Sequence, residues 1–440
     1  MAKAKFGTDG IRGKAGEGAL TPQTLTAIAR SAGQYMRETA GAKHCVIGRD
    51  TRESGAAIQD ALTAGFTAAG LDVTHVGVLP TPALAGSVDR LGADLGVMIT
   101  ASHNPWQDNG IKFFKAGGTK LSPKAERAIE AGLDGIGNAG QAGAVAVRHD
   151  AAQAYIDDLV AGFKSADVSA LKIVLDCANG AAFETAPAAL RALGARHLTV
   201  IGDNPDGRNI NKDCGSTHTQ LLTDRVLSAG ADIGVALDGD ADRLIMVDET
   251  GREIDGDQLL GFMARAAEES GTLKGGGIVA TVMSNLGLER FLTERGLTLS
   301  RTPVGDKHVA ARMREDGFNI GGEQSGHLLL TDYGATGDGT LAAIAVLSAL
   351  SDMSAPASRA LSVFTPVAQK LVNVRYEGES PMQRPDFQAA IAAANAEMGE
   401  AGRILVRASG TEPLIRIMAE SDDDSLVDSL TTQLAEIVKP

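Results

Sequence analysis

Three aspartates at alternating positions are the residues of this 440-residue chain most able to hold a metal ion. Asp238, Asp240 and Asp242 stand in DGDADR (residues 238–243, the aspartate loop). In an extended loop alternate side chains share one side, and crowded carboxylates repel unless a cation neutralises them. Oxygen ligands select Mg²⁺ or Ca²⁺. A calcium-binding EF-hand is rejected because Arg243 stands where that loop needs glycine, so the pattern favours Mg²⁺ that shares its ligands with a phosphate.

A serine in TASHNP (residues 100–105, the serine loop) is the candidate for group transfer. Ser102 follows the apolar run 95–99, and the same residue types also form ordinary turns. A hydrolase is disfavoured, because His103 should point away from Ser102 on an extended chain and no GxSxG motif is present. The chain also has no nucleotide-binding P-loop and no kinase signature. We therefore predict that Ser102 carries a phosphoryl group that moves between the enzyme and its ligand.

A third polar turn is GEQSGH (residues 322–327, the glutamate loop). Its glycines permit a sharp turn and a close approach of a ligand. Glu323 and Ser325 offer a carboxylate and a hydroxyl, a pair that suits vicinal sugar hydroxyls. A plain glycine-rich turn is an equal alternative for this stretch alone.

The fourth turn, RASGTEP (residues 407–413, the arginine loop), joins two short strands. An arginine supplies a fork of donors for phosphate, and a turn of small residues supplies backbone N–H groups and hydroxyls. Because the chain is acidic, a small basic loop of this kind favours phosphate over an ordinary hairpin. The candidate phosphate contacts are Arg407, Ser409, Gly410, Thr411 and, in the next strand, Arg416.

The elements that must position these loops recur three times along the chain. Each copy reads strand, helix, strand, helix, strand, polar loop, hairpin and helix, and the copies begin near Cys45, Lys172 and Gly277. The serine, aspartate and glutamate loops occupy the same place in the three copies, at the carboxyl end of a strand, where open α/β sheets bind ligands. The sequence therefore predicts an α/β protein with three repeated units of mixed, mostly parallel sheets and a smaller C-terminal α+β domain. The predicted domains are residues 1–143, 144–254, 255–364 and 365–440, each carrying one of the four loops.

Composition limits the class of protein. The formal charge of −14 opposes general nucleic-acid binding, which needs lysines and arginines to replace counterions. No window approaches the roughly 18 apolar residues of a membrane span, and the N-terminal residues lack the apolar run of a signal peptide. Three scattered cysteines, Cys45, Cys177 and Cys214, fit a reducing cytosol better than a disulfide framework. We expect a cytoplasmic protein that binds a small anionic molecule in a local basic pocket.

Five motifs, in this order, resemble the α-D-phosphohexomutase superfamily: FGTDGIRG (6–13), TASHNPWQDNGIKFF (100–114), DGDADR, GEQSGH and RASGTEP. The resemblance covers the whole chain and implies four domains around a central cleft. It also implies a cytoplasmic, Mg²⁺-dependent isomerase that works through a phosphoserine and a sugar 1,6-bisphosphate.

The motifs NGIKFF, GEQSGH and FGTDGIRG look most like members that interconvert glucosamine 6-phosphate and glucosamine 1-phosphate. For those members the resemblance implies glucosamine 1,6-bisphosphate as the intermediate and activator, on the route to UDP-N-acetylglucosamine and bacterial cell-wall precursors. A phosphomannomutase/phosphoglucomutase and a non-catalytic sugar-phosphate sensor stay open as alternatives, although the intact serine and aspartates argue against a sensor. Self-association as a homodimer also stays open.

The resemblance further implies a role for each matching residue. Ser102 matches the phosphorylated serine, which is also a metal ligand together with Asp238, Asp240 and Asp242. Glu323 and Ser325 match sugar-hydroxyl contacts. The basic residues beside the phosphoserine match Arg12, Lys112 and Arg243, and the loop that holds the non-reacting phosphate matches Arg407, Ser409, Gly410, Thr411 and Arg416. His327 matches a residue given an acid–base role.

Overall fold

The structure is a computed structural model that describes residues 4–7, 9–133, 141–409 and 413–438. Its elements follow the predicted order, and the predicted fold class is confirmed. Gly410 and Thr411 of the arginine loop lie outside the described residues.

The described residues of the first unit form one seven-stranded sheet and four α-helices. Its elements are β1 (Ile11–Lys14), α1 (Pro22–Ala40), β2 (His44–Arg49), α2 (Gly55–Ala68), β3 (Asp72–Val78), α3 (Thr81–Arg90), β4 (Leu95–Ile99), β5 (Asp108–Lys115), β6 (Thr119–Lys120), α4 (Pro123–Ala131) and β7 (Val145–Val147). The strand order is β1-β5-β4-β2-β3-β7, with β6 paired to β5. Because β7 pairs with β3, the first sheet takes its last strand from beyond the boundary expected at residue 143.

The second unit has a five-stranded sheet in the order β12-β11-β10-β8-β9. Its elements are α5 (Ala151–Gly162), β8 (Lys172–Asp176), α6 (Thr185–Ala192), β9 (His197–Ile201), α7 (Gln220–Ala229), β10 (Ile233–Leu237), β11 (Leu244–Asp248) and β12 (Glu253–Ile254). Strands β8, β9 and β10 are parallel, and β11 returns antiparallel to β10.

The third unit has a four-stranded sheet in the order β14-β13-β15-β16. Its elements are α8 (Gly256–Glu269), β13 (Gly277–Thr281), α9 (Leu286–Glu294), β14 (Thr298–Thr302), α10 (Asp306–Asp316), β15 (Ile320–Gly322), β16 (Leu328–Leu330), α11 (Gly339–Ser351) and α12 (Ala357–Ala360). Strands β4, β10 and β15 hold equivalent places in their sheets, each between a parallel neighbour and an antiparallel return strand. The serine, aspartate and glutamate loops follow these three strands, as the repeat predicts.

Local sequence explains where several of these elements begin and why they are buried. Every residue of β4 and of β10 is buried, which matches their uninterrupted apolar runs. Helix α11 begins at Asp338, whose Oδ1 accepts the N–H of Leu341, and α8 begins at Asp255, whose side chain accepts the N–H of Gln258. These caps fix the starts of the helices that follow each hairpin.

The fourth unit is a three-stranded antiparallel sheet, ordered β17-β19-β18, with two helices. Its elements are β17 (Ala368–Arg375), α13 (Pro385–Met398), β18 (Gly402–Ala408), β19 (Leu414–Ser421) and α14 (Asp424–Val438). One hydrophobic core runs through the first three units, whereas the fourth unit buries a core of its own. Among the described residues, none of the helices combines the length and the apolarity needed to cross a membrane.

Candidate active site

Ser102 lies just after β4 in a buried turn with an unusual backbone conformation. Its φ is +55°, a left-handed value that a non-glycine residue keeps only where its surroundings hold it. The residue is 1% exposed, and its Oγ donates a hydrogen bond of 2.6 Å to Oδ2 of Asp238. The serine loop and the aspartate loop are therefore in direct contact.

His103 lies beside Ser102, so the expectation that its side chain points away is wrong. Its Nδ1 is 3.3 Å from Oγ of Ser102, because the left-handed serine breaks the extended geometry on which that expectation rested. Burial and the nearby guanidinium groups of Arg243 and Arg12 lower the pKa of His103 to about 4. An imidazole of such low basicity is a poor base for Ser102.

The three aspartates converge as predicted, but on a turn rather than on an extended chain. Ala241 has a φ of +57°, and its N–H donates to the carbonyl oxygen of Asp238 at 3.0 Å. One oxygen of each carboxylate lies within 4.8 Å of the others, and all three residues are buried. Among the described residues, no hydrogen-bond donor reaches Oδ1 of Asp240, while Oδ1 of Asp242 is approached by Nδ1 of His327 at 3.5 Å. A buried carboxylate cluster with an unpaired oxygen fits a small divalent cation such as Mg²⁺.

Lys112 neutralises part of this carboxylate cluster. Its Nζ lies 2.8 Å from Oδ2 of Asp240, 2.8 Å from Oδ2 of Asp242 and 3.0 Å from Oδ2 of Asp9. Burial disfavours the ammonium, but the three carboxylates outweigh burial and raise the pKa of Lys112 well above its ordinary value. Burial, together with Asp242 and Asp240, raises the pKa of Asp238 to about 8. The cluster is therefore short of positive charge even with Lys112 in place.

His327 of the glutamate loop lies between two carboxylates. Its Nδ1 is 3.5 Å from Oδ1 of Asp242, and its Nε2 is 3.3 Å from Oδ2 of Asp306. Burial disfavours the imidazolium, but these carboxylates outweigh it and raise the pKa of His327 to about 10. His327 is thus a cation at neutral pH, which fits a proton donor or a charge neutraliser rather than a base.

A cavity of about 710 Å³ opens beside these loops. Its charged lining residues come from the first three units and include Lys5, Arg12, Arg243, Asp306 and Glu323. Oε1 of Glu323 accepts the N–H of Gly305 at 2.9 Å, which turns the glutamate loop toward α10, while Ser325 is exposed at the tip of the turn. The buried Nε–H groups of Arg12 and Arg243 meet no acceptor among the described residues. Unpaired guanidinium donors in a cleft suit an anionic ligand.

The described part of the arginine loop places two arginines opposite each other. Arg407 on β18 and Arg416 on β19 are directly paired in the register of the antiparallel sheet. Burial and the charge of Arg416 lower the pKa of Arg407. The Nε–H of Arg416 is buried and meets no acceptor in the described ranges, and the N–H of Ser409 donates to the carbonyl oxygen of Leu414 at 2.9 Å. No described residue of the fourth unit lines the 710 Å³ cavity, so this arginine pair stands outside it.

Sequence reasoning missed three acidic or basic residues that complete the charge network. Asp9 contacts Lys112 and Lys120, and Lys120 in turn reaches Asp306 beside His327. Asp9 belongs to the motif FGTDGIRG, whereas Asp306 begins α10 and belongs to none of the five motifs. These ion pairs join residues that are distant in the sequence, which no local pattern reveals.

Four family descriptions together match most of the chain. "Phosphoglucomutase/phosphomannomutase, alpha/beta/alpha domain I" matches residues 3–139, domain II matches residues 153–251 and domain III matches residues 255–367. The C-terminal domain of the same family matches residues 371–437. Together with the serine and aspartate loops that meet at the cleft, these matches define a phosphohexomutase, an isomerase of sugar phosphates.

Curated relatives narrow the family. A phosphoglucosamine mutase of Caulobacter vibrioides is 50% identical over 444 residues, covering 99% of each chain. One of Erythrobacter litoralis is 49% identical over 443 residues, covering 100% of this chain and 98% of the relative. The chain therefore belongs to the phosphoglucosamine mutase family within the α-D-phosphohexomutase superfamily.

Solved structures share the fold along the whole chain. A phosphoglucomutase/phosphomannomutase family protein from Burkholderia thailandensis superposes with a TM-score of 0.84 at 25% identity, covering 100% of this chain and 98% of that one. An N-acetylphosphoglucosamine mutase of Aspergillus fumigatus, in complex with GlcNAc-6P and magnesium, superposes with a TM-score of 0.70 at 20% identity over 99% of this chain and 95% of that one. At 20% identity, the similarity to the Aspergillus fumigatus enzyme shows a shared fold only.

Proposed function

We propose that this enzyme interconverts glucosamine 6-phosphate and glucosamine 1-phosphate by way of a phosphoserine at Ser102. The observation that carries the proposal is the 2.6 Å hydrogen bond from Oγ of Ser102 to Asp238, inside a buried cluster of three carboxylates. An ordinary serine in a turn has no reason to lie against such a cluster. A phosphoryl group on Ser102 would add negative charge to this cluster, and a divalent cation held by the aspartates would neutralise it.

The reaction requires two phosphoryl transfers, one from Ser102 to the sugar and one from the sugar back to Ser102. The free hydroxyl of the bound monophosphate attacks the phosphorus on Ser102, so that a new O–P bond forms and the Ser102 Oγ–P bond breaks. The hydroxyl proton ends on Oγ, so the step balances without a co-reactant. The product, glucosamine 1,6-bisphosphate, turns over in the cleft and returns its other phosphate to Ser102. Phosphoryl transfer depends mainly on positioning and on neutralising charge.

The residues of this chain supply both needs. We assign Arg12, Lys112 and Arg243 to the phosphoryl group on Ser102, because all three are cations beside the serine or the aspartate loop. His327, held as an imidazolium between two carboxylates, is assigned to proton donation. Glu323 and Ser325 are assigned to the sugar hydroxyls. The phosphate that does not react is assigned to Arg407, Ser409, Gly410, Thr411 and Arg416.

The aspartate loop is the proposed magnesium site. Asp238, Asp240 and Asp242, with an oxygen of the modified Ser102, would hold the ion, and the close approach of the three carboxylates and the unpaired Oδ1 of Asp240 support this assignment. When bound, Mg²⁺ supplies charge neutralisation at the phosphoryl oxygens. We also infer a four-domain division that follows the four loops, and a cytoplasmic enzyme whose three cysteines are free and buried.

Rates on three sugars test the proposal. Purified enzyme with Mg²⁺ and a trace of the bisphosphate should convert glucosamine 6-phosphate much faster than glucose 6-phosphate or mannose 6-phosphate, and intact-mass analysis should place one phosphate on Ser102. Ser102→Ala should abolish turnover, while Ser325→Ala, in an exposed serine of the cleft region, should mainly raise KM. Faster turnover of mannose or glucose phosphate would make the enzyme a phosphomannomutase/phosphoglucomutase. Binding of all three sugars without turnover would make it a sensor.

A further inference from the structure

A buried arginine donates hydrogen bonds to backbone carbonyl groups in and just after the serine loop. Arg52 is 1% exposed, and its Nε donates to Oδ2 of Asp50 at 2.8 Å. The two Nη atoms donate to four carbonyl oxygens of one short segment, those of Ser102, Asn104, Pro105 and Asp108. A guanidinium has five N–H donors, so every donor of Arg52 is used to hold this loop and the carboxylate beside it.

Asn211 of the second unit also donates hydrogen bonds to the backbone of the serine loop. Nδ2 of Asn211 donates to the carbonyl oxygen of Ser102 at 2.8 Å and to that of Asn104 at 3.0 Å. Asn211 itself has a φ of +57°, a conformation that asparagine tolerates better than most residues. The side chain therefore reaches across from one unit to the backbone of the other.

Gly239 of the aspartate loop packs against the carbonyl group of Ser102. A Cβ at Gly239 would lie 2.6 Å from the carbonyl oxygen of Ser102 and 2.8 Å from Nδ2 of Asn211, so only glycine fits there. The carbonyl of Ser102 is thus enclosed by Arg52, Asn211 and Gly239. These contacts restrain the backbone of the left-handed serine, and in this conformation Oγ faces Asp238.

We propose that Arg52 and Asn211 are positioning residues for phosphoryl transfer, which hold Ser102 in its left-handed conformation from two different units. The inference deepens the proposed function and rests on it, because the reacting group is the one carried by Ser102. Neither residue reaches the reacting atoms. Each acts on the carbonyl group of Ser102, and a small displacement of a reacting group costs up to about a hundredfold in rate.

The substitution Asn211→Gly tests the hydrogen bonds from the second unit to the serine loop. Glycine adopts the left-handed backbone of Asn211 without strain, so the substitution removes only the two hydrogen bonds. The matched control is Asp213→Gly, two residues further on, where an exposed residue has a φ of +55° and no side-chain contact to the serine loop among the described residues. We expect kcat of Asn211→Gly to fall by about tenfold or more while KM stays within about twofold, and Asp213→Gly to behave as the wild type.

Hydrogen exchange gives a readout that does not depend on turnover. In the unphosphorylated, ligand-free protein, the peptide around residues 98–107 should exchange faster in Asn211→Gly than in Asp213→Gly, at equal thermal stability. Equal exchange in the two variants, or a loss confined to KM, would overturn the proposal. If the wild type turns over none of the three sugar phosphates, the proposed function fails, yet the exchange comparison still decides whether Asn211 holds the loop.

The substitution Arg52→Lys tests the hydrogen bonds from the first unit. It also keeps the proposal testable if Asn211→Gly does not fold. Lysine keeps the positive charge beside Asp50 but has three donors instead of a planar fork of five. We expect faster exchange in the same peptide and a fall in kcat larger than that in KM. The control is Arg49→Lys, an arginine of the preceding strand that makes no contact with the backbone of residues 100–105 among the described residues. Wild-type kcat and wild-type exchange in Arg52→Lys would refute this half of the proposal.

Discussion

The ammonium group of Lys112 lies 2.8 Å from the carboxylate of Asp242, within the cluster assigned to a metal. The same nitrogen is 2.8 Å from Asp240, so one buried cation serves two of the three aspartates. Like charges this close are tolerated in a buried site only where cations compensate them. Lys112 therefore stabilises the folded site, and the proposed function assigns it a second role at the phosphoryl group of Ser102.

Lys112→Met should destabilise the enzyme strongly in the absence of Mg²⁺. Removing one partner of a buried ion pair typically costs about 3–5 kcal/mol, because it leaves an uncompensated charge. Chemical denaturation with and without Mg²⁺ measures the free energy of unfolding, and added Mg²⁺ should restore part of the loss. Lys115→Met, in an exposed lysine of the same strand β5, is the control and should change stability by less than about 0.5 kcal/mol. Equal stability of the two variants would contradict the assigned role of Lys112.

The substitution Asp240→Asn should distinguish an effect on metal binding from an effect on folding. The amide keeps the shape of the carboxylate but removes one of the three charges that attract a divalent cation. We expect Mg²⁺ to raise the Tm of the wild type and of Asp224→Asn, an exposed aspartate of α7, but to have little effect on the Tm of Asp240→Asn. Turnover of Asp240→Asn should fall by orders of magnitude, because charge neutralisation at the phosphoryl group is weakened. An unchanged Mg²⁺ shift in this variant would place the metal elsewhere.

A buried aspartate at the start of α11 should give a pH-dependent stability. Asp338 caps α11 and accepts the hydroxyl of Tyr155 at 2.8 Å, and burial raises its pKa from 3.8 to about 6. The raised pKa means that the folded state binds the proton more tightly, so the stabilising contribution is complete below pH 3.8 and is lost as the pH rises through about 6. At 1.36 kcal/mol for each pKa unit, the full loss is about 3 kcal/mol.

Asp338→Asn should remove that pH dependence. The asparagine oxygen still caps Leu341, and its amide can donate to Tyr155, whose hydroxyl also accepts. Relative to the wild type, the variant should gain stability between about pH 4 and about pH 7, as measured by denaturant unfolding at each pH. Asp352→Asn, at the exposed end of the same helix, controls for surface charge. A difference between Asp338→Asn and wild type that stays constant with pH would refute the raised pKa.

The facing arginines of the fourth unit should bind inorganic phosphate. Arg407 and Arg416 repel each other across β18 and β19, and an anion between them would relieve that repulsion. Millimolar phosphate should raise the Tm of the wild type more than that of Arg407→Ala or Arg416→Ala, and KM for the sugar phosphate should rise in both variants. The control is Arg384→Ala, an exposed arginine of the same unit that pairs with Asp386. A phosphate response equal in all four proteins would place the anion outside this loop.

The sequence was sufficient to predict which loops meet, because three of them end equivalent strands of one repeated unit. The turn at Ala241 and the left-handed Ser102 were not predictable from local patterns. Ser102 depends on Arg52, fifty residues earlier in the chain, and on Asn211, more than a hundred residues later. The error over His103 has the same origin, since the direction of a side chain follows from a backbone that distant residues impose. Asp9 escaped notice because its partners Lys112 and Lys120 lie more than a hundred residues later in the chain, and Asp306 because its partner Lys120 lies in another unit.

The fourth unit is attached to the third at the turn of residues 282–285 and by an ion pair between Arg290 and Asp422. Nη2 of Arg403 donates to the carbonyl oxygens of Val282 and Ser284 at 2.8 Å each, and Nδ2 of Asn285 donates to the carbonyl oxygen of Val367 at 3.0 Å. These bonds join backbone groups and polar side chains, whereas the apolar core of the fourth unit is its own. Polar attachments of this kind usually permit relative motion of domains.

We predict that the sugar phosphate draws the fourth unit over the cleft, pivoting at residues 282–285. The arginine pair stands outside the 710 Å³ cavity, so movement of the unit toward the cleft would let one ligand contact both. Small-angle scattering should show a smaller radius of gyration with ligand than without it, and the fluorescence of Trp106, the one tryptophan of the sequence, should report the change near the serine loop. Arg407→Ala should weaken the compaction and release more bisphosphate to solvent, because the intermediate is held less firmly. The control variant Arg384→Ala should become compact with ligand as the wild type does. If the scattering profile does not change with ligand and Arg407→Ala retains all of its bisphosphate, the fourth unit does not move and the prediction is wrong.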